Sequence, residues 1–363
     1  MSTLVILPLL VPLLAGAVLL LAGRNARTWP LLVSAAAVLL QLLAALALGV
    51  ATGDGTVLAH LAGNWAAPFG IALAADRLAV ILLSLTAVLA LASLLAGHDG
   101  ASAHPASDTG GGLFHGLFQL QLFGLNGAFL TADLFNLFVF FEVLLCASYA
   151  LLVRGPDGRR FSAATHYVVI NLLASSLFLL AAAILYGVLG TLNMADLAVR
   201  VAAAPEADRA LIESAGLLLL TVFAVKAALL PLGLWLPATY RAAPVAVSIL
   251  FVLMTKVGVY AILRVSTAVF GLEGVPDGDI EIPPLLVLAL LTLAIAAFGT
   301  IAARDLRTLV SHLVIGSAGT LLILVAIGTA GSLAAGLFYL VHSTLGAALL
   351  FAVAGLLGGE RAD

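Results

Sequence analysis

The sequence predicts an all-α polytopic membrane protein with about eleven transmembrane helices. The first reason is composition: 63% of the 363 residues are apolar and only 9% are charged, against about 25% in a typical soluble domain. The second is that the apolar residues form continuous runs of about 20, the length that crosses the hydrocarbon core as a helix. The third is that these runs do not alternate with polar residues, as the strands of a membrane β-barrel would.

Eleven runs qualify as spans. In chain order they are residues 2–22, 29–50, 76–96, 113–131, 133–153, 162–188, 211–232, 244–269, 283–302, 308–328 and 332–357. The first run has no basic stretch before it, so we expect a retained helix rather than a removed signal peptide. Residues 193–204, between two spans, predict a short amphipathic surface helix.

The composition also excludes several kinds of site. A chain with so few charges is neither a cytosolic enzyme nor a nucleic-acid binder with a basic face. Cys146 is the single cysteine, which excludes an internal disulfide and a cysteine-ligated cluster or zinc site. We expect it to be a small core residue.

No motif for binding ATP, NAD or zinc is present. His98 and His104, in the Gly- and Ser-rich connection 97–112, are weak metal candidates, and no metal or cofactor is expected.

The distribution of arginine predicts the orientation, because basic residues concentrate in cytoplasmic loops. If the N-terminus lies outside, the inner loops carry Arg24, Arg27, Arg154, Arg159, Arg160, Arg241, Arg304, Arg307 and Arg361. The outer side then has Arg77, Arg200, Arg209 and Arg264, together with the acidic cluster Glu273, Asp277, Asp279 and Glu281. We therefore expect the N-terminus outside and the C-terminus inside.

Four titratable residues fall deep within predicted spans. Glu142, Lys226, Lys256 and His342 lie about 14 to 22 Å into their helices, and the two lysines are the only ones in the chain. A charge near mid-bilayer costs about 2.5–3.5 kcal/mol and usually marks a pathway or an ion pair. We expect the four groups to form a polar line parallel to the membrane plane.

Two interpretations of these charges follow. In one, Glu142 and Lys226 form an ion pair that only holds two helices together, which leaves Lys256 unexplained. In the other, Lys226 exchanges its proton as the carboxylate approaches and withdraws, because burial makes a lysine easy to deprotonate. Pro231 favours the second interpretation, since proline removes a backbone donor and should break the helix one turn after Lys226. Broken helices in membranes line polar cavities and often carry transport sites.

Other polar residues are weaker candidates. Asp133 begins a helix, where the N-cap is its expected role, with attraction of a cation as the alternative. Asn136 is expected to bond between helices. His312, near the start of its helix, suits interfacial packing and proton relay equally well, and Asp305 is expected to be a solvated loop charge.

Several segments carry a family resemblance. Residues 226–264, KAALLPLGLWLPATYRAAPVAVSILFVLMTKVGVYAILR, resemble the core of the proton-conducting antiporter-like subunits of respiratory complex I and of the Mrp cation/proton antiporters. The segments TADLFNLFVFFEVLLCASYALL (131–152), YVVINLLASSLFLL (167–180) and YGVLGTLNMADLA (186–198) resemble specifically the D-type subunits of the Mrp group (also called Mnh or Pha).

The resemblance implies roles for individual residues. Glu142 matches the essential glutamate of the family's fifth helix, Lys226 the lysine of its broken seventh helix, and Lys256 the lysine of the eighth. These form a proton half-channel in the family. His312 and His342 correspond to histidines of the tenth and eleventh helices.

The sequence departs from the family at three points. Complex I relatives read PLHxWLP where this chain has Gly233 in place of the histidine, and Ala347 stands where many relatives carry a lysine; both favour the Mrp type. The third departure is length, since the family usually has about fourteen helices in two inverted repeats, whereas eleven are predicted here. The resemblance therefore implies N-terminal helices 1–3 in residues 1–112, a first repeat in 113–270 and an incomplete second repeat in 283–363.

The predicted function is that of a proton-translocating subunit of a multisubunit Na⁺(K⁺)/H⁺ antiporter. It would be a secondary transporter subunit rather than an enzyme, in the bacterial cytoplasmic membrane. Its partners would be other membrane subunits, lipid, H⁺ and Na⁺ or K⁺, with no nucleic acid. Because lysines repel cations, we expect the metal cation to pass largely through a partner subunit. The alternatives are a proton-pumping subunit of a complex I-like NADH:quinone oxidoreductase or membrane-bound hydrogenase, and a structural scaffold.

Overall fold

The computed structural model describes residues 2–21, 29–103, 111–154, 158–271 and 284–359. Thirteen α-helices lie in that part of the chain. They are α1 (Leu7–Leu21), α2 (Trp29–Ala51), α3 (Arg77–Ala103), α4 (Gly112–Leu130), α5 (Leu134–Leu152), α6 (Gly158–Leu189), α7 (Met194–Ala202), α8 (Glu206–Ala227), α9 (Trp235–Ala242), α10 (Val245–Ala268), α11 (Pro284–Ala302), α12 (Leu306–Ile327) and α13 (Ala330–Gly359). Several residues used for orientation lie outside the described residues: Arg24, Arg27, Glu273, Asp277, Asp279, Glu281 and Arg361, as does His104.

The prediction of a polytopic helical protein is confirmed. Each of the eleven predicted runs contains a helix, and ten described helices are long and apolar enough to cross a membrane. The exception is α4, which carries buried polar side chains such as His115, Gln119 and Asn126. Because these side chains are enclosed by protein rather than lipid, α4 keeps its place among the other helices although its mean hydropathy is lower. The predicted amphipathic helix at 193–204 is α7, which is N-capped by Asn193.

The chain divides into two compact units. The first comprises residues 1–157 and 182–211, and the second comprises residues 158–181 and 212–363. Helix α6 contributes to both. The three-part division implied by the family resemblance is a partition by repeats, and it stays a prediction.

Close helix packing in the first unit depends on glycines of α4. A Cβ added to Gly124 would lie 2.6 Å from Leu144 Cβ, and one added to Gly127 would lie 2.1 Å from the ring of Phe140. Small residues let membrane helices approach closely, which is the main source of packing energy where lipid is as apolar as the side chains. These glycines therefore set the spacing between α4 and α5.

A buried polar network joins α1, α2 and α4 in the same unit. The Asn126 amide donates to the Pro8 carbonyl (2.8 Å) and to Gln41 Oε1 (2.9 Å). Gln41 in turn donates to Gln119 Oε1 (3.2 Å), and Gln119 donates to Ser34 Oγ (2.9 Å). The four polar side chains are at most 3% exposed. Hydrogen bonds of this kind fix the register of helices in the membrane.

One small antiparallel sheet was not predicted. Strands β1 (Leu58–Leu61) and β2 (Ala72–Ala75) pair in the first unit, between α2 and α3. The β2 edge continues to the loop before α5, where Ala132 N donates to Ala72 O (2.9 Å). That loop also pairs with the turn before α7, through Asp133 and Asn193.

The second unit is built around α10, whose length is almost entirely buried. Helices α12 and α13 pack against it, α11 pairs with α12, and the short α9 lies against α12. Gly355 of α13 lies against Val245 at the start of α10, where an added Cβ would meet the valine side chain at 2.7 Å. Lys256, near the middle of α10, is therefore enclosed by protein.

Candidate functional site

The predicted break at Pro231 is present. Helix α8 ends at Ala227, Ala228 takes a left-handed conformation with φ +59°, and α9 begins only at Trp235. Proline has no N–H to donate and its ring clashes with the preceding turn, so the helix cannot continue through it. The chain thus leaves helical geometry two residues after Lys226.

Polar side chains satisfy the backbone groups that the break exposes. Thr292 Oγ1 of α11 accepts from Leu230 N (3.0 Å). The indole Nε1 of Trp235 donates to the Val225 carbonyl (3.2 Å), one residue before Lys226. Unsatisfied backbone groups are costly in a membrane, so irregular backbone persists only with such partners. The break is therefore stabilised by specific side-chain hydrogen bonds within the second unit.

Gly233 is required by the turn itself. A Cβ at this position would lie 2.1 Å from the Ala228 carbonyl oxygen. This is the position where complex I relatives carry histidine. The present turn folds back so tightly that it leaves no room for any side chain there.

Lys226 is buried at the C-terminal end of α8, with 4% of its surface exposed. Its Nζ donates to Asn171 Oδ1 of α6 (3.3 Å), and the Asn171 amide donates to the Tyr167 carbonyl (2.9 Å). Asn171 lies within one of the segments that carry the family resemblance, but sequence reasoning did not select it as a site residue. The available signal was a single amide in an otherwise apolar run.

Lys256 is fully buried on α10. Its ammonium donates to Ser317 Oγ of α12, and Ser317 donates to the Val314 carbonyl (2.8 Å). Two residues further along α10, Gly258 lies directly against the backbone of Lys226 and Ala227. Helices α8 and α10 therefore cross beside Lys226, two residues along α10 from Lys256, and each lysine donates to a neutral oxygen.

The two histidines lie in different environments. His312 is half-buried on α12 and lines a small cleft beside the break, with Leu230, Gly233 and Thr292 among the other lining residues. Its Nδ1 has no hydrogen-bond partner among the described residues. His342 is instead exposed on α13, where its ring stacks on Phe338 (6.5 Å between centroids). The structure places only His312 beside the helix break.

The acidic candidates belong to the first unit. Glu142 is half-buried on α5. Asp133 is the N-cap of that helix and accepts from Asn136 N (2.8 Å), the role expected for it, while cation attraction stays a prediction. Asn136 donates its side-chain amide to Thr131 in the preceding loop (3.1 Å), so the expected bond between helices is replaced by a local one.

Cys146 corrects an expectation. Its place in an apolar run predicts a core residue, yet the side chain is exposed. A membrane helix is apolar on its outward face as well as its inward face, so hydropathy alone does not separate the two. No group of three or more His, Cys, Asp or Glu that could hold a metal ion lies among the described residues.

Comparison with known proteins identifies the class. The family model for "NADH:quinone oxidoreductase/Mrp antiporter, TM" matches residues 131–363. This match covers the broken helix and both buried lysines. The chain therefore belongs to the NADH:quinone oxidoreductase/Mrp antiporter family of transmembrane proteins.

Two curated relatives are similar over nearly the whole chain, and both are named as D-type subunits of antiporters. The chain is 43% identical to the probable K⁺/H⁺ antiporter protein of Rhizobium meliloti (strain 1021), covering 93% of this chain and 62% of the relative. It is 37% identical to the Na⁺/H⁺ antiporter protein of Bacillus subtilis (strain 168), covering 98% and 70%. The chain thus spans less than two thirds of the length of the first of these proteins.

Solved structures confirm the antiporter-like fold. A chain of the Mrp complex from Dietzia sp. DQ12-45-1b superimposes with a TM-score of 0.85 and 32% identity, covering 97% of this chain and 64% of that one. A chain of respiratory complex I from Thermus thermophilus gives a TM-score of 0.79 and 26% identity, covering 97% and 71%. The resemblance expected from the motifs is confirmed.

Proposed function

We propose that this chain is the proton-translocating D-type subunit of a multisubunit monovalent cation/proton antiporter. The observation that carries the proposal is the pair of buried lysines on α8 and α10, two helices that cross closely at Gly258, with the helix break directly after Lys226. Each ammonium is held by a neutral oxygen. A neutral acceptor stabilises the charged form of a lysine without contributing a countercharge of its own.

The chemistry of the site suits protons better than metal cations. Two ammonium groups repel Na⁺ and K⁺, whereas each lysine can release and regain a proton. Lys226, Lys256 and His312 would carry protons within the second unit, and Glu142 would take part in proton transfer from the first unit. His342, on the exposed face of α13, would act at the boundary with another helix or subunit. The exchanged Na⁺ or K⁺ would pass through a partner membrane subunit.

The antiporter assignment is favoured over a complex I-like or hydrogenase subunit by sequence similarity. Among the solved structures, identity is 32% to the Mrp chain against 26% to the complex I chain. The two curated antiporter proteins are 43% and 37% identical. The tight turn at Gly233 also separates this chain from the PLHxWLP pattern of complex I relatives. On this proposal the chain is not an enzyme. It resides in the bacterial cytoplasmic membrane with its N-terminus outside.

The proposal is tested by antiport measurements on the assembled complex. The chain is co-expressed with the membrane subunits encoded beside it in a host that lacks its own cation/proton antiporters. Everted vesicles are energised, and dissipation of the pH gradient by Na⁺ or K⁺ is followed with a fluorescent dye. We expect Lys226→Ala, Lys256→Ala and Glu142→Ala each to lower the rate at least tenfold.

Arg209→Ala is the matched control, because Arg209 lies on the same helix as Lys226 but in an exposed ion pair with Glu206. It should keep the parental rate, since exposed pairs contribute little. Full antiport by both lysine variants in assembled complexes would overturn the proposal. Loss of assembly with either variant, but not with Arg209→Ala, would instead favour the scaffold interpretation.

A further inference from the structure

Asn171 occupies a special position on α6. It is 1% exposed, and it is a lone amide within the apolar segment YVVINLLASSLFLL. Its Nδ2 is committed to the Tyr167 carbonyl one turn earlier (2.9 Å), which leaves Oδ1 directed at Lys226 Nζ (3.3 Å). The amide orientation is therefore set by the helix itself, before any contact with the lysine.

The hydrogen bond between Lys226 and Asn171 can run in one direction only, from the ammonium to the amide oxygen. An amide oxygen only accepts hydrogen bonds and an ammonium only donates them, so this contact favours the protonated lysine. A hydrogen bond to a charged group in a low-dielectric site is stronger than one between neutral groups. Unlike a carboxylate, the amide adds no charge that would hold the proton against release.

Helix α6 also contacts the segment that follows the break between α8 and α9. The Tyr167 ring stacks on Trp235 (4.8 Å between centroids), and Trp235 donates to the carbonyl of Val225, next to Lys226. Helix α6 thus holds the end of α8 in two ways, through the aromatic stack on Trp235 and through Asn171. Movement of Lys226 relative to α6 would have to break the amide contact first.

We propose that Asn171 is a positioning residue for Lys226: it holds the protonated side chain toward α6 and sets how readily its proton leaves. This inference rests on the function proposed above. The other titratable groups on elements around this end of α8, within the second unit, include Tyr167 on α6, Tyr240 on α9, Lys256 on α10 and His312 on α12. Glu142, assigned to Lys226 from the sequence, belongs to the first unit and is left unchanged in the test.

The test compares Asn171→Leu with Asn171→Asp in the assembled complex, using the rate of cation-driven proton transport from pH 6 to pH 10. Leucine has a similar volume but removes the acceptor, so the protonated lysine loses support and the activity profile should move to lower pH. Aspartate keeps the acceptor and adds a charge, so the profile should move to higher pH. Each shift should be about one pH unit, which corresponds to about 1.4 kcal/mol.

Ser176→Ala is the control on the same helix, because Ser176 is exposed and its hydroxyl donates to Leu172 O of its own helix. Its profile should match the parent. Reduced rates with an unmoved profile in both Asn171 variants would show that Asn171 only packs, and would overturn the inference. If the leucine variant fails to assemble, the aspartate variant decides alone. If both fail, Asn171→Ala is judged by the criterion used for leucine.

Lys226→Ala is measured in parallel to separate the two proposals. Full transport by Lys226→Ala would overturn the proposed function. An inactive Lys226→Ala together with an unmoved profile in the Asn171 variants would overturn only the positioning role.

Discussion

Gly258 of α10 lies directly against the backbone of Lys226. A methyl group at Gly258 would be 2.6 Å from the Lys226 carbonyl carbon and 2.4 Å from the amide nitrogen of Ala227. Backbone atoms cannot rotate away as a flexible side chain can, so any side chain at Gly258 would push α8 and α10 apart. The distance between the two lysine-bearing helices is thus set by the absence of a side chain.

Gly258→Ala should therefore impair the site more than it impairs the fold. Overpacking in a well-packed interior costs about 1–3 kcal/mol, and the displacement falls on the lysine itself. We expect at least tenfold slower antiport, measured in vesicles at matched complex content. Gly346→Ala on α13 is the control, because nothing lies within 4 Å of its added Cβ. Parental antiport by Gly258→Ala would contradict the close crossing.

Thr292 should stabilise the helix break. Thr292→Val is nearly isosteric but leaves Leu230 N without its acceptor, and a buried unsatisfied donor costs about 1–3 kcal/mol. We expect a lower thermal midpoint for the detergent-solubilised complex and slower antiport. Thr292→Ser keeps the hydroxyl and should restore most of both.

The control for Thr292 is Thr267→Val on α10. Thr267 is exposed, and its hydroxyl donates to carbonyls of its own helix, Leu263 and Arg264. If the two valine variants shift the thermal midpoint equally, the bond to Leu230 contributes nothing specific.

The carboxylate of Asp305, at the start of α12, should make the stability of the folded state depend on pH. Burial alone would raise the pKa of Asp305, but hydrogen bonds from Thr308 and the charges of Arg241 and Arg307 outweigh burial and leave it below the ordinary value of 3.8. A lowered pKa means that the carboxylate stabilises the folded state above pH 3.8. That contribution disappears as the pH falls through the lowered value.

Asp305→Asn should accordingly be less stable than the parent at about pH 7, by under about 1 kcal/mol because the ion pair with Arg241 is partly exposed. The difference should close in unfolding experiments below pH 3.8. Glu206→Gln, a change at an exposed residue, should leave stability unchanged throughout. A difference that grows on acidification would have the wrong sign and contradict the account.

The helices and the break could be predicted from the sequence because each depends on local chemistry. A continuous apolar run of about 20 residues specifies a membrane helix wherever it packs. Pro231 breaks α8 because of its own missing N–H, so no tertiary contact is needed to foresee it. Lys226 and Lys256 could be selected because a charge within an apolar span is costly, so such a residue usually marks a functional site or an ion pair.

The partners of the lysines and of the helix break could not be predicted in the same way. Asn171, Thr292 and Ser317 lie 55 to 62 residues from the groups they contact. Which face of a helix meets which neighbour depends on packing between distant segments, and an apolar run does not encode it. The wrong expectation for Cys146 has the same origin, since the faces of α5 are alike in hydropathy. The strands at 58–61 and 72–75 were missed because four-residue apolar segments have no distinctive period.

The network around Asn126 offers a test that separates a specific bond from general packing. Pro12 lies inside α1 and has no N–H, so the Pro8 carbonyl lacks its usual helical donor. Asn126 supplies the missing donor at 2.8 Å. Asn126→Leu should therefore lower the free energy of unfolding by about 1–3 kcal/mol. The change leaves the buried Pro8 carbonyl without a donor and removes the hydrogen bond to Gln41.

Pro12→Ala should reduce that loss, because alanine at position 12 restores a backbone N–H four residues after Pro8. We expect Asn126→Leu to cost about 1 kcal/mol less in the Pro12→Ala background than in the parent, measured as a double-mutant cycle on thermal unfolding. The bond from Asn126 to Gln41 is lost in both backgrounds and cancels from the comparison. Equal costs in the two backgrounds would mean that Asn126 acts through Gln41 or through its volume, and not by replacing the donor that Pro12 lacks.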